Sequence, residues 1–212
     1  MKNIAILAAL VAACSSANAQ LKITEVMYKG MFGEFIEVTN TGSALTASQT
    51  DDYSYDDSGA SAGKVPFPAV ALANNQCVII TEVSSAIFNL AWYTEPSGDN
   101  GLITVAPVII GNSTDNLGRS DTINIFQNST VVDKLSYNDE AVPPNGPRTE
   151  DVSAVPITGW DHTLDNMTNG GVTEWKLSNT SDVATKWQAG NPSQSAGSAP
   201  IGSPGRYVTA TP

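Results

Sequence analysis

The sequence predicts an all-β fold, a β-sandwich with one short helix. Three observations carry this. Strand-like runs of four to eight residues recur along the chain, separated by turn clusters. Seventeen glycines and 12 prolines are spread through the 212 residues, as many short strands require. Only 15% of residues are charged against 41% hydrophobic, so a sizeable core can form.

The elements follow in order. Leu21 to Tyr28 reads as a first strand, with Ile23 and Met27 on one face and Val26 and Tyr28 on the other. Lys29-Gly30-Met31-Phe32-Gly33 makes a turn. In the next strand, Glu34 to Asn40, Ile36 and Val38 face the core while Glu37 and Thr39 face out. Tyr53 to Asp56 is a weaker strand, and Lys64 to Pro68, flanked by proline, suits a sheet edge. Gln76 to Thr81 is a buried strand. Val83, Ile87 and Ala91 recur at helical spacing beside Phe88 and Trp92, which predicts a short helix over Val83 to Trp92. Thr122 to Gln127 and Thr130 to Tyr137 flank Asn128-Ser129 and predict an antiparallel hairpin. Its inward set is Ile123, Ile125, Val131, Leu135 and Tyr137; Thr122, Asn124, Lys134 and Ser136 face water. Val172 to Leu177 is a late strand. Ser193 to Pro204 is rich in Ser, Ala, Gly and Pro, and reads either as a tether or as a packed closing strand.

The N-terminus points outside the cytoplasm. Lys2, the apolar run Ile4 to Ala13, and Ala17-Asn18-Ala19 before Gln20 fit a signal peptide over residues 1–19. The expected location is secreted, extracellular or cell surface, with the periplasm as a further compartment. Val11-Ala12-Ala13-Cys14 offers another reading, a lipoprotein box in which Cys14 carries lipid. Residues 20–212 then form a single domain. Its one cysteine, Cys77, lies in an apolar run and reads as a buried, inert thiol. No later segment reaches transmembrane length.

The formal net charge is −11. Such a surface disfavours nucleic acid and anionic membranes, and favours solubility, divalent cations or basic partners. Catalytic signals are weak. The one histidine, His162, lies in a Gly-, Asn- and Asp-rich stretch, and no serine sits in a nucleophile motif. Glu25 and Glu37 read as structural carboxylates that accept hydrogen bonds from neighbouring loops, and Glu34 sits at odd spacing from Glu37. The chain is therefore expected not to be an enzyme.

Calcium is the one cofactor the sequence raises, because it prefers oxygen ligands that loops can supply. Asp51, Asp52, Asp56 and Asp57 form one acidic cluster; Asn112, Asp115, Asn116 and Asp121 form a second. Neither matches an EF-hand, and exposed turn-forming Asp and Asn are the simpler explanation of both. Of the four tryptophans, Trp92 and Trp175 are explained by burial, and Trp160, beside Gly159, is the candidate for an exposed glycan or protein contact. Asn112, Asn128, Asn166 and Asn179 each open an Asn-x-Ser/Thr triplet.

Four segments follow one another along the chain: Ile23-Thr24-Glu25-Val26-Met27-Tyr28 with Glu34-Phe35-Ile36-Glu37-Val38-Thr39-Asn40; Pro66-Phe67-Pro68 with Leu72 to Ile80; the hairpin from Ser120 to Tyr137; and Trp187 with Gly202-Ser203-Pro204-Gly205. In this order they resemble the bacterial branch of the lamin-tail domain family. Ser43 to Gly63 lacks that family's Gly-Trp-Leu turn, and Pro156 to Gly171 has no counterpart. The resemblance implies an immunoglobulin-like fold and an extracellular or surface module that binds or anchors. The expected function is a non-catalytic binding or adhesion module with a protein or glycan partner. The alternatives are a self-associating matrix protein and a hydrolase-associated accessory domain.

Overall fold

The computed structural model describes residues 21–93, 103, 105–142, 144, 146–157, 165–166, 175–178, 187–188 and 200–207. The signal-peptide segment with Cys14, and Trp160 and His162, lie outside them. The elements run β1 (Leu21–Met27), β2 (Phe35–Asn40), α1 (Ala47–Thr50), β3 (Tyr53–Asp56), β4 (Val65–Pro66), β5 (Cys77–Thr81) and α2 (Ser85–Trp92). They continue with β6 (Val108–Gly111), β7 (Ser120–Gln127), β8 (Thr130–Asn138), β9 (Ala154–Pro156), β10 (Asp165–Asn166), β11 (Trp175–Leu177), β12 (Trp187–Gln188) and β13 (Ile201–Gly202).

The fold is an all-β sandwich. A six-stranded sheet, β11-β9-β1-β2-β5-β6, faces a five-stranded sheet, β10-β8-β7-β3-β4. Alternation explains the core between them. Ile36 and Val38 of β2, Val78 and Ile80 of β5, Tyr53 and Tyr55 of β3, and Ile123 and Ile125 of β7 all point into it. Val65–Pro66 forms the edge of the five-stranded sheet, as its proline predicts. Tyr53–Asp56 is not marginal: it pairs with both β7 and β4.

Two one-residue irregularities correct the predicted faces. In β1, Ile23 pairs with Val38 but Glu25 pairs with Glu37, so Thr24 is extra. A bulge of this kind sets two residues against one and resets the alternation. Ile23, Val26 and Tyr28 therefore share the sandwich core, and Met27 alone of that set joins the opposite face. In the hairpin, Ile125 pairs with Asp133 and Phe126 with Val131. The shift packs Val132, not Val131, on the core. Asp133 is in phase with Leu135 and Tyr137 and so faces inward as well, 1% exposed, where it accepts from Ile23 N (2.7 Å) and pairs with Lys22 Nζ (3.3 Å).

The outer face of the six-stranded sheet is covered as well. Ser84 caps α2, its hydroxyl accepting from Ile87 N, and the helix lays Phe88, Ala91 and Trp92 onto Met27, Phe35, Cys77 and Ile79. Phe88 and Trp92 each meet Phe35 edge-on at 5.6 Å. The predicted stripe is thus rotated: Ile87 is 50% exposed, and Phe88 takes its place. Among the described residues there are two helices rather than one, because Thr46 and Gln49 form a capping box that closes the four-residue α1. Thr39 and Glu37 point away from the sandwich core as predicted, but α2 and the chain end cover that face and both are buried.

Candidate functional site

Two groups of carboxylates emerge from this frame. The first lies on the covered outer face. The bulge at Thr24 turns Glu25 outward beside its cross-strand partner Glu37. Both are fully buried. Residues 200–207 run over them. Glu25 accepts from Ser203 N (2.7 Å), Ser203 Oγ (2.8 Å) and Ser153 Oγ. Glu37 accepts from Thr24 Oγ1 (2.6 Å) and Gly205 N (2.7 Å). Burial, and then the charge of Glu37, push the Glu25 carboxyl up to about 8; burial raises Glu37 also. Cys77 is buried beside them, and burial pushes its thiol up, as expected of an inert thiol.

Paired carboxylates could in principle do acid–base chemistry, and these two are adjacent rather than remote. A glycosidase pair, however, must flank a substrate and admit water. Here the lone pairs are taken by backbone and hydroxyl donors under a packed chain segment. The sequence reading of both as structural acceptors agrees with this geometry.

The second group gathers at one end of the sandwich. Asp56 and Asp57, at the end of β3, meet Asp115, in the loop after β6. One oxygen of each lies within 4.8 Å of the others. Asp56 and Asp115 are buried and Asp57 half-buried. Asp115 Oδ2 accepts from Thr114 Oγ1 (2.6 Å) and Oδ1 pairs with Lys64 Nζ at 3.2 Å. Asp57 Oδ1 accepts from Gly59 N (3.1 Å), and Asp56 Oδ2 from Ser61 N. Asn112 Nδ2 and Tyr55 Oη both donate to the Asp115 carbonyl, which holds the loop in place. Glu34, 5% exposed, lies nearby: it accepts from Leu117 N (2.7 Å), and burial, with Glu82, Asp121 and Asp57 around it, raises its carboxyl to about 8, which favours its neutral form.

The predicted ligands therefore divide. Asp56, Asp57 and Asp115 come together, which joins members of the two sequence clusters. Asp51 and Asp52 stay apart and exposed, at the end of α1. Asp121 caps its own turn, accepting from Gly118 N and Thr122 N. Asn112 is buried and spends its amide on the loop backbone. Asn124, predicted to face water, is 3% exposed because Nδ2 donates to the Asp57 carbonyl (2.7 Å). Trp92 and Trp175 are buried, as predicted. Sequence reasoning singled out Glu34 only for its spacing from Glu37 and missed its place near Asp57 and Asp121; it also missed the 200–207 contacts, which no local pattern signals.

A cleft of about 370 Å³ lies between α2 and β6, lined by Ser85, Asn89, Tyr93, Ile103, Pro107 and Ile109 among others. No helix of the described residues is long and apolar enough to cross a membrane. Comparison with protein families, curated proteins and solved structures finds no match to this chain.

Proposed function

We propose that this chain is a secreted or cell-surface, non-catalytic binding module on a lamin-tail-type scaffold, with an acidic corner that takes calcium. The observation that carries it is the contrast between the two carboxylate groups. Glu25 and Glu37 are sealed and saturated by donors, which suits a scaffold. Asp56, Asp57 and Asp115 converge from sequence-distant segments with oxygens close enough to share one ion. Calcium takes six to eight oxygens, so backbone carbonyls and water would complete the shell. Lys64, half exposed, neutralises Asp115 in the absence of the ion and can swing aside. The net charge of −11 favours a cation over an anionic partner.

Thermal melting during a calcium titration tests this. At calcium about 100 times Kd, the gain is about 2.7 kcal/mol. For a chain of this size that is a rise of roughly 5–10 °C, reversed by EDTA. Asp115→Asn should abolish the rise, and Lys64→Met should produce it at lower calcium by removing the competing ammonium. A melting temperature indifferent to calcium in both the natural chain and Lys64→Met would remove the cation from this reading.

A further inference from the structure

The segment 200–207 sits in a built receptor. Its backbone is held along its length. Ile201 N donates to the Asp151 carbonyl (3.0 Å), and Ser153 N donates to the Ile201 carbonyl (2.9 Å). Ser203 N and Gly205 N, two residues apart, donate to the buried carboxylates of Glu25 and Glu37. Tyr93 Oη donates to the Pro204 carbonyl (3.0 Å). The fit also selects the side chains. A Cβ at Gly202 would lie 2.8 Å from Glu25 Oε1 and 3.0 Å from Ser153 Oγ. Gly205 has a φ of +86°, and a Cβ there would lie 2.8 Å from Tyr93 Oη. The groove thus recognises a short strand, Ile201–Gly202, followed by a turn in which Arg206 N donates to the Ser203 carbonyl (3.2 Å), with glycine at two positions and the N–H groups of Ser203 and Gly205 aimed at the carboxylates.

We propose that this groove is a peptide receptor filled in cis by residues 200–207, and that a second copy of the chain supplies the same segment in trans when the cis segment is released. The occupant is named by the contacts: the only sequence shown to satisfy the groove is this chain's own Ile201-Gly202-Ser203-Pro204-Gly205. Exchange of an identical element between copies is a low-cost route to dimers. The inference stands apart from the calcium reading, since it uses the outer face of the six-stranded sheet and none of Asp56, Asp57 and Asp115.

Release is linked to protons. Closed, the groove buries two neighbouring carboxylates and favours the protonated form; open, water hydrates them and they ionise. The other titratable or charged groups around it are Cys77 on β5, Tyr93 at the end of α2, and Arg206 and Tyr207 on the segment itself; α2 carries none. Rising pH therefore favours the open form.

The test uses the full chain with a reductant present, so that Cys77 pairing makes no contribution. Concentrated protein is incubated at about pH 6 or about pH 9, on either side of the Glu25 transition, then returned to pH 6 for light scattering. Dimer is expected after the alkaline incubation only. Excess synthetic peptide covering residues 200–207, added during incubation, should return the sample to monomer, and Gly202→Val should form no peptide-sensitive dimer. Monomer under both conditions, equal dimer under both, or a dimer that the peptide does not suppress would each overturn the proposal. The competition uses the natural chain, so it decides even if Gly202→Val misfolds.

Discussion

The melting temperature is expected to fall as pH rises from about 5 to about 9, by roughly 6–12 °C. Burial raises Glu25 and Glu34 from 4.5 to about 8, and Asp133 from 3.8 to about 6. In each window the folded chain holds protons that the unfolded chain has lost. Their stabilising contribution is complete below the unfolded values and is lost as pH climbs through the folded ones, first for Asp133 and then for the two glutamates. A buried carboxyl raised by about three units corresponds to on the order of 4 kcal/mol. Solvent penetration and relaxation reduce that figure, so a few kcal/mol in total is the scale expected. The opposite tendency rests on Glu150, which Lys29 and Arg148 lower to about 2; its contribution is lost only as pH falls through that range, and its exposure lets salt screen it. Stability should therefore peak in mildly acidic solution. Calorimetry across the range checks it, and Glu25→Gln assigns it. The amide oxygen can still accept from Ser203 N, and the Ser203 hydroxyl can turn to accept from the amide NH2. The variant should flatten part of the decline. A melting temperature that is constant or rises between pH 5 and 9 would show that these carboxyls ionise at little cost in the fold.

What the sequence showed and hid follows from range. Ile36/Val38 and Ile123/Ile125 were legible because alternation is a local property, and turn residues bound both strands. The bulges at Thr24 and Val132 were not, because one extra residue leaves no mark on an alternating pattern and yet flips every side chain beyond it. That flip decides which face receives Glu25 and whether Val131 or Val132 packs on the core. Glu37 and Asn124 were placed correctly on the side away from the sandwich core, but pointing away from one core is not the same as meeting water. Glu37 lies under the closing segment and Asn124 under the Asp57 turn, and both covers are tertiary. The same holds for Asp56, Asp57 and Asp115. Each cluster was visible from composition, but only the pairing of β3 with β7 and of β6 with β5 sets their loops side by side. Ser193 to Pro204 read either as a tether or as a closing strand, since the contacts that fix its end are mostly backbone donors that no side-chain pattern reveals.

Replacing Trp92 by alanine is expected to cost about 3–5 kcal/mol, the scale for truncating a buried aromatic. Trp92 is 1% exposed and is one of the three rings, with Phe35 and Phe88, that fasten α2 to the outer face. Its loss opens a cavity where the helix, the sheet and the closing segment meet, for Gly202 lies against the same ring. Relaxation there is limited, because the carboxylates of Glu25 and Glu37 cannot move into an apolar void without losing their donors. Trp92→Phe separates packing from polarity. The indole Nε1 is buried with no hydrogen-bond partner among the described residues, and an unpaired buried donor costs about 1–3 kcal/mol. Phenylalanine removes that donor while keeping most of the apolar contact, so the two effects oppose and the net change should be within about 1.5 kcal/mol. Urea unfolding of the three proteins measures both steps. A Trp92→Phe change as severe as Trp92→Ala would mean that the indole nitrogen has a partner that holds α2 in place, and that the outer face depends on it more than on ring packing.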